Sequence, residues 1–302
     1  LMRMEGGPRT DRHTVSRMRS RMGRVLAASR VQGFTIVEVL IVFAVTGLLF
    51  VSAAIMISGR QNQAAFNQAI QQVQSQIQQN INDVSVGFYP NRNNFQCAAS
   101  GTGPLLASGA NQQGTNSGCI FVGKAMQFAV QNTKPEQFAV FTIAGLQNDP
   151  ATGQDVQTLA QAKPMAVAPS TAQPLLPDQT DKGELQSGLT TYKMWYNNGG
   201  ADVPIGAVAF TSSLASYSSG SIVSGSQQVN VVPVAGTVIN SQRTAVADAI
   251  NAGLATSVMN PANGVSVCFV SAGTNQSGLV VIGGNGHPLA VTLTIKGNKT
   301  CT

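Results

Sequence analysis

One long apolar run stands out near the start of the chain. From Phe34 to Ser58 it comprises twenty-five residues with a single charged side chain, Glu38. A helix of this length would be about 37 Å long at 1.5 Å per residue. Because the hydrocarbon core of a bilayer is roughly 30 Å thick, the run is predicted to be a transmembrane helix.

A second helical pattern follows directly, over residues 59–84. Apolar side chains recur every three or four residues, which is the period of one face of an α-helix. The opposite face is rich in glutamine, and no charged side chain occurs between Arg60 and Asp83. Amides cost less to bury than ions, so this face can stay in solvent or pack against another protein. The apolar positions are Phe66, Ile70, Val73, Ile77, Ile81 and Val84.

After Val84 the pattern changes to short alternating or β-branched runs between clusters of Gly, Asn and Ser, which is typical of β-strands. The clearest signal is a hairpin, in which the alternating run Leu289–Ile295 follows a Gly-rich turn after Ile282. Residues 147–187 and 212–228 are predicted to be surface loops. The other predicted strands are 119–122, 127–130, 138–143, 190–196, 205–210, 229–234, 265–270 and 279–282, and a helix is possible at 243–255.

The formal charge of +6 lies entirely in the arm that precedes the apolar run. Eight arginines against Glu5 and Asp11 give +6 within residues 1–33, and the other ten basic and ten acidic side chains balance. The positive-inside rule then places residues 1–33 in the cytoplasm and the rest of the chain outside it. A neutral body offers no broad basic face, so nucleic acid is not expected to bind in that way.

The junction between the basic arm and the apolar run carries the most specific motif. A Gly33-Phe34 step is followed by Glu38, five residues after Gly33, inside an otherwise uncharged span. This order closely resembles the N-terminal cleavage and methylation segment of type IV prepilins and type II secretion pseudopilins. The resemblance implies that a prepilin peptidase cuts between Gly33 and Phe34, removes residues 1–33 and methylates the new amine of Phe34.

Physical chemistry explains why two residues of this motif occur where they do. Gly33 has no side chain, which lets the backbone enter a narrow protease cleft. Glu38 places a carboxylate in an apolar zone, where an unpaired charge costs several kcal/mol, so it needs a cationic partner. In type IV pilins and pseudopilins that partner is the N-terminal amine of a neighbouring subunit. The resemblance therefore implies a salt bridge between Glu38 and the Phe34 amine of another copy.

Three features depart from the usual pattern of that family. Gln32 precedes Gly33 where Lys or Arg is usual. Ile55 stands where many major pilins have a proline that kinks the helix, which predicts a straighter helix and favours a minor or specialised subunit. The leader of 33 residues is long, so an internal start such as Met22 is an alternative.

Other classes of protein remain as alternatives. A membrane-anchored adhesin that never polymerises would keep the Gly33-Phe34 bond, and a secretory signal peptide would be cut near Ala54. An extracytoplasmic hydrolase is disfavoured, because the chain has only two histidines, His13 and His287, from which to build a common catalytic relay. We therefore predict a protein that is not an enzyme, with no catalytic residue, cofactor or metal site.

The four cysteines favour disulfides, since no two form a C-x-x-C pair, and disulfides indicate an oxidising compartment. The most economical of the three connectivities joins Cys97 to Cys119 and Cys268 to Cys301, with four free thiols as the alternative. The aromatic residues Tyr192, Trp195 and Tyr196 either form a binding surface or pack within the sheet.

The resemblance implies an α+β, pilin-like fold in which a long N-terminal helix packs on a C-terminal antiparallel β-sheet domain. Four segments are predicted: a leader, 1–33; a transmembrane and polymerisation half of the helix, 34–58; an amphipathic half, 59–84; and an extracytoplasmic β-rich domain, 85–302. The implied function is that of a pilus-like filament subunit, with a pseudopilin of a secretion or DNA-uptake machine as the alternative. The implied partners are other pilin subunits, the prepilin peptidase, the inner-membrane assembly platform and, before assembly at the cell surface, the cytoplasmic membrane.

Overall fold

The structure is a computed structural model, and the following applies to the residues that it describes. Side chains are not described at 95–100, 105–108 and 180–182. The described ranges are 33–87, 95–100, 103–108, 119–128, 134–149, 151–166, 180–197, 199–212, 229–236, 245–249, 260–284, 287 and 289–301.

The first element is a single helix, α1, which covers Ile36–Ser85. From Phe66 onward one face of this helix is buried, and its buried residues repeat at the spacing that the sequence predicts. The period of 3.6 residues places these positions on one stripe. The predicted amphipathic stripe is thereby confirmed, with Ala69 as an additional member. The buried residues are Phe66, Ala69, Ile70, Val73, Ile77, Ile81 and Val84.

Besides α1, the described residues form thirteen strands and a one-turn helix, α2, at Leu159–Ala162. A short helical segment also occurs at 245–249, inside the range where a helix was possible. The strands are β1 (Phe95–Ser100), β2 (Gly103–Ser108), β3 (Cys119–Phe128), β4 (Gln137–Leu146), β5 (Met165–Ala166), β6 (Thr180–Glu184), β7 (Leu189–Tyr196), β8 (Val203–Pro204), β9 (Ala207–Ser212), β10 (Val229–Val234), β11 (Val265–Ser271), β12 (Ser277–Ile282) and β13 (Val291–Lys296).

These strands form three antiparallel sheets. Strands β1 and β2 pair alone, while a six-stranded sheet has the order β10-β9-β3-β4-β5, with β6 also paired to β4. A five-stranded sheet has the order β13-β12-β11-β7-β8. The predicted fold class, α+β with a long apolar helix and an antiparallel β-domain, is confirmed.

One apolar cluster joins the buried stripe of α1 to both large sheets. Its largest fully buried side chains include Phe66 and Ile70 from the helix, Phe210 from β9 and Phe269 from β11. Burying a side chain of this size contributes about 1.5–3 kcal/mol relative to leaving it in water. The helix from Phe66 onward is therefore part of the core rather than an appendage of it.

A second cluster covers the other face of the six-stranded sheet. Ile143 and Phe141 of β4 contact side chains that include Leu159 and Ala162 of α2 and Val246 of the segment 245–249. Because both faces are covered, central strands of this sheet do not alternate: every residue of β9 is buried. Strands buried on both faces read as continuous apolar runs.

Strand β3 corrects one prediction. The sequence suggested separate strands at 119–122 and 127–130, but Cys119–Phe128 is one strand with a register shift between Phe121 and Gly123. Residues 129 and 130 lie outside the described residues. Gly123 and Lys124 interrupt the apolar pattern for reasons of packing: a Cβ at Gly123 would collide with the backbone carbonyl of Phe210, and Lys124 pairs with a carboxylate on the helix.

That pair joins Lys124 of β3 to Asp83 in the last turn of α1. The Lys124 Nζ donates to the Asp83 Oδ2, and their side chains are only 6% and 21% exposed. A buried cation needs an anion beside it, because its desolvation otherwise costs several kcal/mol. The pair therefore specifies where the end of α1 lies on the six-stranded sheet.

One predicted loop differs from the structure, whereas the last predicted hairpin agrees with it. The range 147–187, predicted to be a loop, contains α2, β5 and β6, while β1, β2 and β8 were not predicted. Most of the predicted loop 212–228 lies outside the described residues. The predicted hairpin is confirmed: Ile282 pairs with Val291, although the strand begins at Val291 rather than at Leu289.

Replacing Gly278 of β12 with valine tests the contact between α1 and the five-stranded sheet. A Cβ at this position would lie 2.8 Å from Ile70 Cγ1, and overpacking of this kind costs about 1–3 kcal/mol. We expect Gly278→Val to lower the free energy of unfolding of the full chain in detergent by that amount. Gly297→Val is the control, because a Cβ there meets no atom within 4 Å. A similar loss in both variants would contradict the contact.

Replacing Asp83 with asparagine tests the buried ion pair. The variant leaves the Lys124 cation without its carboxylate, and loss of one partner of a buried pair costs about 3 kcal/mol. Adding Lys124→Met should restore most of that stability in a denaturant titration, because the unpaired charge is then gone. If the double variant were as unstable as Asp83→Asn alone, the destabilisation would not come from the charge.

Candidate functional site

The candidate site is the start of helix α1, where the cleavage motif predicted from the sequence lies. Thr35 immediately precedes the helix, and its Oγ1 accepts a hydrogen bond from the backbone N–H of Glu38 at 3.2 Å. Such an N-cap satisfies one of the free donors of the first turn. Glu38 itself stands in that first turn, where a negative side chain favours the positive end of the helix dipole. The motif thus contains its own helix-start signal.

The side chains of residues 33–53 are exposed throughout. Large apolar groups dominate them, with Phe34, Ile36 and Phe50 among the most exposed. Helix α1 is long and apolar enough to cross a membrane, and its most apolar stretch of eighteen residues contains no buried residue. An apolar surface of this size needs cover from lipid or from other proteins.

The few polar side chains inside the apolar segment are satisfied by their own helix. Thr46 Oγ1 donates to the carbonyl of Val42 at 2.7 Å, and Ser52 Oγ donates to that of Leu48 at 2.9 Å. Such bonds to the preceding turn leave no hydroxyl donor to be desolvated in lipid. Gly47 also has open space around it, with nothing within 4 Å of a Cβ.

The side chain of Glu38, unlike these hydroxyl groups, has no partner within its own helix among the contacts described. It is exposed, and both ion pairs found among the described residues involve other carboxylates, Asp83 and Asp202. A carboxylate beside apolar side chains, once covered by lipid or protein, needs a cation. The start of α1 can therefore offer an anionic group to a partner outside this chain.

The cysteines form a separate feature at the other end of the chain. Cys268 of β11 and Cys301 are joined by a disulfide, with their Cα atoms 5.9 Å apart. Cys119 is also disulfide-bonded, and the side chain of Cys97 lies outside the described residues. The Cys268–Cys301 bond ties the segment after β13 back to the middle of the five-stranded sheet.

The aromatic residues that the sequence left open have different surroundings. Tyr196 packs against the main core, whereas Tyr192 is 64% exposed. Lys193 Nζ lies 4.5 Å from the centroid of the Trp195 ring and 3.2 Å from Asp202 Oδ2. Sequence reasoning missed this cluster, although the spacing Lys193-x-Trp195 puts both side chains on one face of a strand.

Other candidate ligands do not converge in the described part of the chain. His287 is exposed, and no group of three or more His, Cys, Asp or Glu side chains that could hold a metal was found among the described residues. Asp178, Asp181 and Glu184 lie close together in the sequence, but Asp178 and the side chain of Asp181 lie outside the described residues.

Comparison with known proteins identifies the N-terminal motif. Residues 28–54 match the family model of the prokaryotic N-terminal methylation motif, the leader signature of type IV pilins and pseudopilins. Gly33, Phe34 and Glu38 lie within the match. No curated protein and no solved structure matches the chain. The resemblance is therefore confirmed, and the class that it supports is a type IV pilin-like or pseudopilin protein.

Removing the disulfide tests whether the C-terminal segment stabilises the β-domain. Closing a loop of this length contributes about 3–4 kcal/mol in the chain-entropy model, so Cys268→Ser should lower the free energy of unfolding by that amount. Cys301→Ser and the double variant should lose the same amount, because each removes the same cross-link. A double variant that loses twice as much would show that the effect comes from side-chain packing instead.

Proposed function

We propose that this chain is a structural subunit, minor or specialised, of a type IV pilus-like filament. It is cleaved after Gly33, methylated at the Phe34 amine and assembled through α1. Its function is assembly rather than catalysis. The observation that carries the proposal is that the methylation motif begins a helix whose first part is apolar and exposed and whose later part, from Phe66, is buried in a β-domain.

In this proposal the exposed apolar side chains of residues 34–58 pack first against lipid and then against the same segment of other subunits. Glu38 pairs with the Phe34 amine of a neighbour, which sets the register between subunits. The amide-rich face that follows carries no charge from Gln61 to Asn82, so packing it against a neighbour desolvates amides rather than ions.

Two features support a minor or specialised subunit over a bulk one. Ile55 lies inside α1, where a proline would be expected to kink the helix. The β-domain that we assign to residues 85–302 is large for a unit that repeats throughout a filament. A pseudopilin of a secretion or DNA-uptake machine shares the motif and helix and is the alternative within the same class.

The test is mass spectrometry of the N-terminus in sheared surface filaments and in the membrane fraction of the native cells. We expect a chain that begins at methylated Phe34 in the filaments, at low copy number relative to the major subunit. High copy number would assign it as the bulk subunit instead. An uncut arm, or a terminus near Ala54, with no signal in the filaments would overturn the proposal in favour of an anchored or secreted protein.

Replacing Glu38 with glutamine tests the role of the charge in assembly. The variant should still be cleaved, but its amount in filaments should fall about tenfold or more, since a loss of about 1.4 kcal/mol per contact changes an equilibrium tenfold. Ser52→Ala is the control, because the Ser52 hydroxyl bonds to its own helix. Equal incorporation of both variants would show that Glu38 does not set the register.

A further inference from the structure

The outer face of the five-stranded sheet carries a pocket to which helix α1 contributes no lining residue. Its volume is about 370 Å³, within the roughly 300–1,000 Å³ typical of small-molecule sites. The pocket is lined by the Cys268–Cys301 disulfide and Thr300, by three residues of β7, and by Asp202. The three residues of β7 are Tyr192, Lys193 and Trp195. All of these residues belong to the β-domain.

A β-bulge exposes one of the aromatic side chains in this pocket. Cys268 of β11 pairs with Lys193, but the next residue, Phe269, pairs with Thr191. Tyr192 is thus the extra residue of the bulge, and bulges commonly re-aim a side chain. The Tyr192 ring, instead of packing in the core with Leu189 and Met194, lines the pocket. The sheet therefore presents a tyrosine and Trp195 at one site.

The charged groups of the pocket are held in place and neutralise each other. Lys193 Nζ donates to Asp202 Oδ2 at 3.2 Å, and Asn197 Nδ2 donates to Asp202 Oδ1 at 3.2 Å. These two hydrogen bonds, that from Asn197 first, lower the pKa of Asp202 below its usual value, so it remains an ionised acceptor. Asn197 is fixed in turn by Gly200 and by the backbone N–H of Gly199.

The Lys193 ammonium and the Asp202 carboxylate can form further hydrogen bonds beside the aromatic rings of the pocket. An ammonium group has three donors and a carboxylate has about four acceptor positions, of which the contacts above use only part. The remaining sites can bind hydroxyl groups that donate and accept together. Because Lys193 is matched by Asp202, the pocket has little attraction for a polyanion, and a purely apolar ligand would desolvate the charged pair without replacing its hydrogen bonds.

We propose that this pocket binds a neutral carbohydrate, with the C–H face of one pyranose ring against the exposed Tyr192 ring, its hydroxyls on Asp202 and Lys193, and Trp195 beside it under the Lys193 ammonium. This goes beyond the proposed function and does not depend on it, since the binding groups all lie in the β-domain. A filament subunit with such a pocket would contact glycans at a surface, whereas a chain that never polymerises would bind them equally well.

The chain offers a direct reporter, because Trp195 is its only tryptophan. The experiment is a fluorescence titration of the full chain, in a detergent without a sugar headgroup, with glucose, galactose, mannose, N-acetylglucosamine and N-acetylgalactosamine. We expect a saturable change in emission with at least one of these sugars in the millimolar range. No saturable change with any of them, in a chain whose circular dichroism shows a folded domain, would overturn the proposal.

Two variants and a control assign the signal to the pocket. Tyr192→Ala and Asp202→Asn should each weaken the binding about tenfold or more, which corresponds to about 1.4 kcal/mol. Tyr196→Phe should leave it unchanged, because Tyr196 packs against the core. Binding that survives both pocket variants would overturn the assignment, as would a saturable response to a single-stranded oligonucleotide but to no sugar. Failure of N-terminal processing would leave these results unaffected.

Discussion

The first part of helix α1 has an apolar surface that no other described part of the chain covers. The rest of the structure depends on this constraint. The side chains of residues 33–53 are exposed, whereas from Phe66 onward the same helix contributes a stripe to the main core. Water is a poor environment for the first part, so it must be covered by lipid or by other chains. The methylation motif at residues 28–54 supports a type IV pilin-like or pseudopilin protein, and the proposed assembly would use both kinds of cover in turn.

The second part of the helix is tied to its β-domain by two different kinds of contact. Apolar burial supplies most of the free energy, but it is non-directional. The Lys124–Asp83 pair and the close approach of Gly278 to Ile70 are directional, because each is satisfied in only one placement of the helix. The helix from Phe66 onward is therefore held against the sheets in one register.

The five-stranded sheet has two unlike faces, one packed against α1 and one turned away from it. Its inner face packs against α1 through residues such as Val280 and Phe269. Its outer face carries the disulfide, the Lys193–Asp202 pair and the exposed Tyr192 ring. A substitution on the outer face therefore need not disturb the packing of the inner face against α1.

Local patterns by themselves determined the helix, its buried stripe, the last hairpin and the motif with Gly33, Phe34 and Glu38, because each depends on residues close together in the chain. Only the tertiary structure decided that β3 is continuous, since Gly123 and Lys124 break its apolar pattern to accommodate the Phe210 carbonyl and Asp83. It also decided the register shift that exposes Tyr192 and the pairing of Lys193 with Asp202. Strand pairing joins residues far apart in the chain, and no local period contains that information.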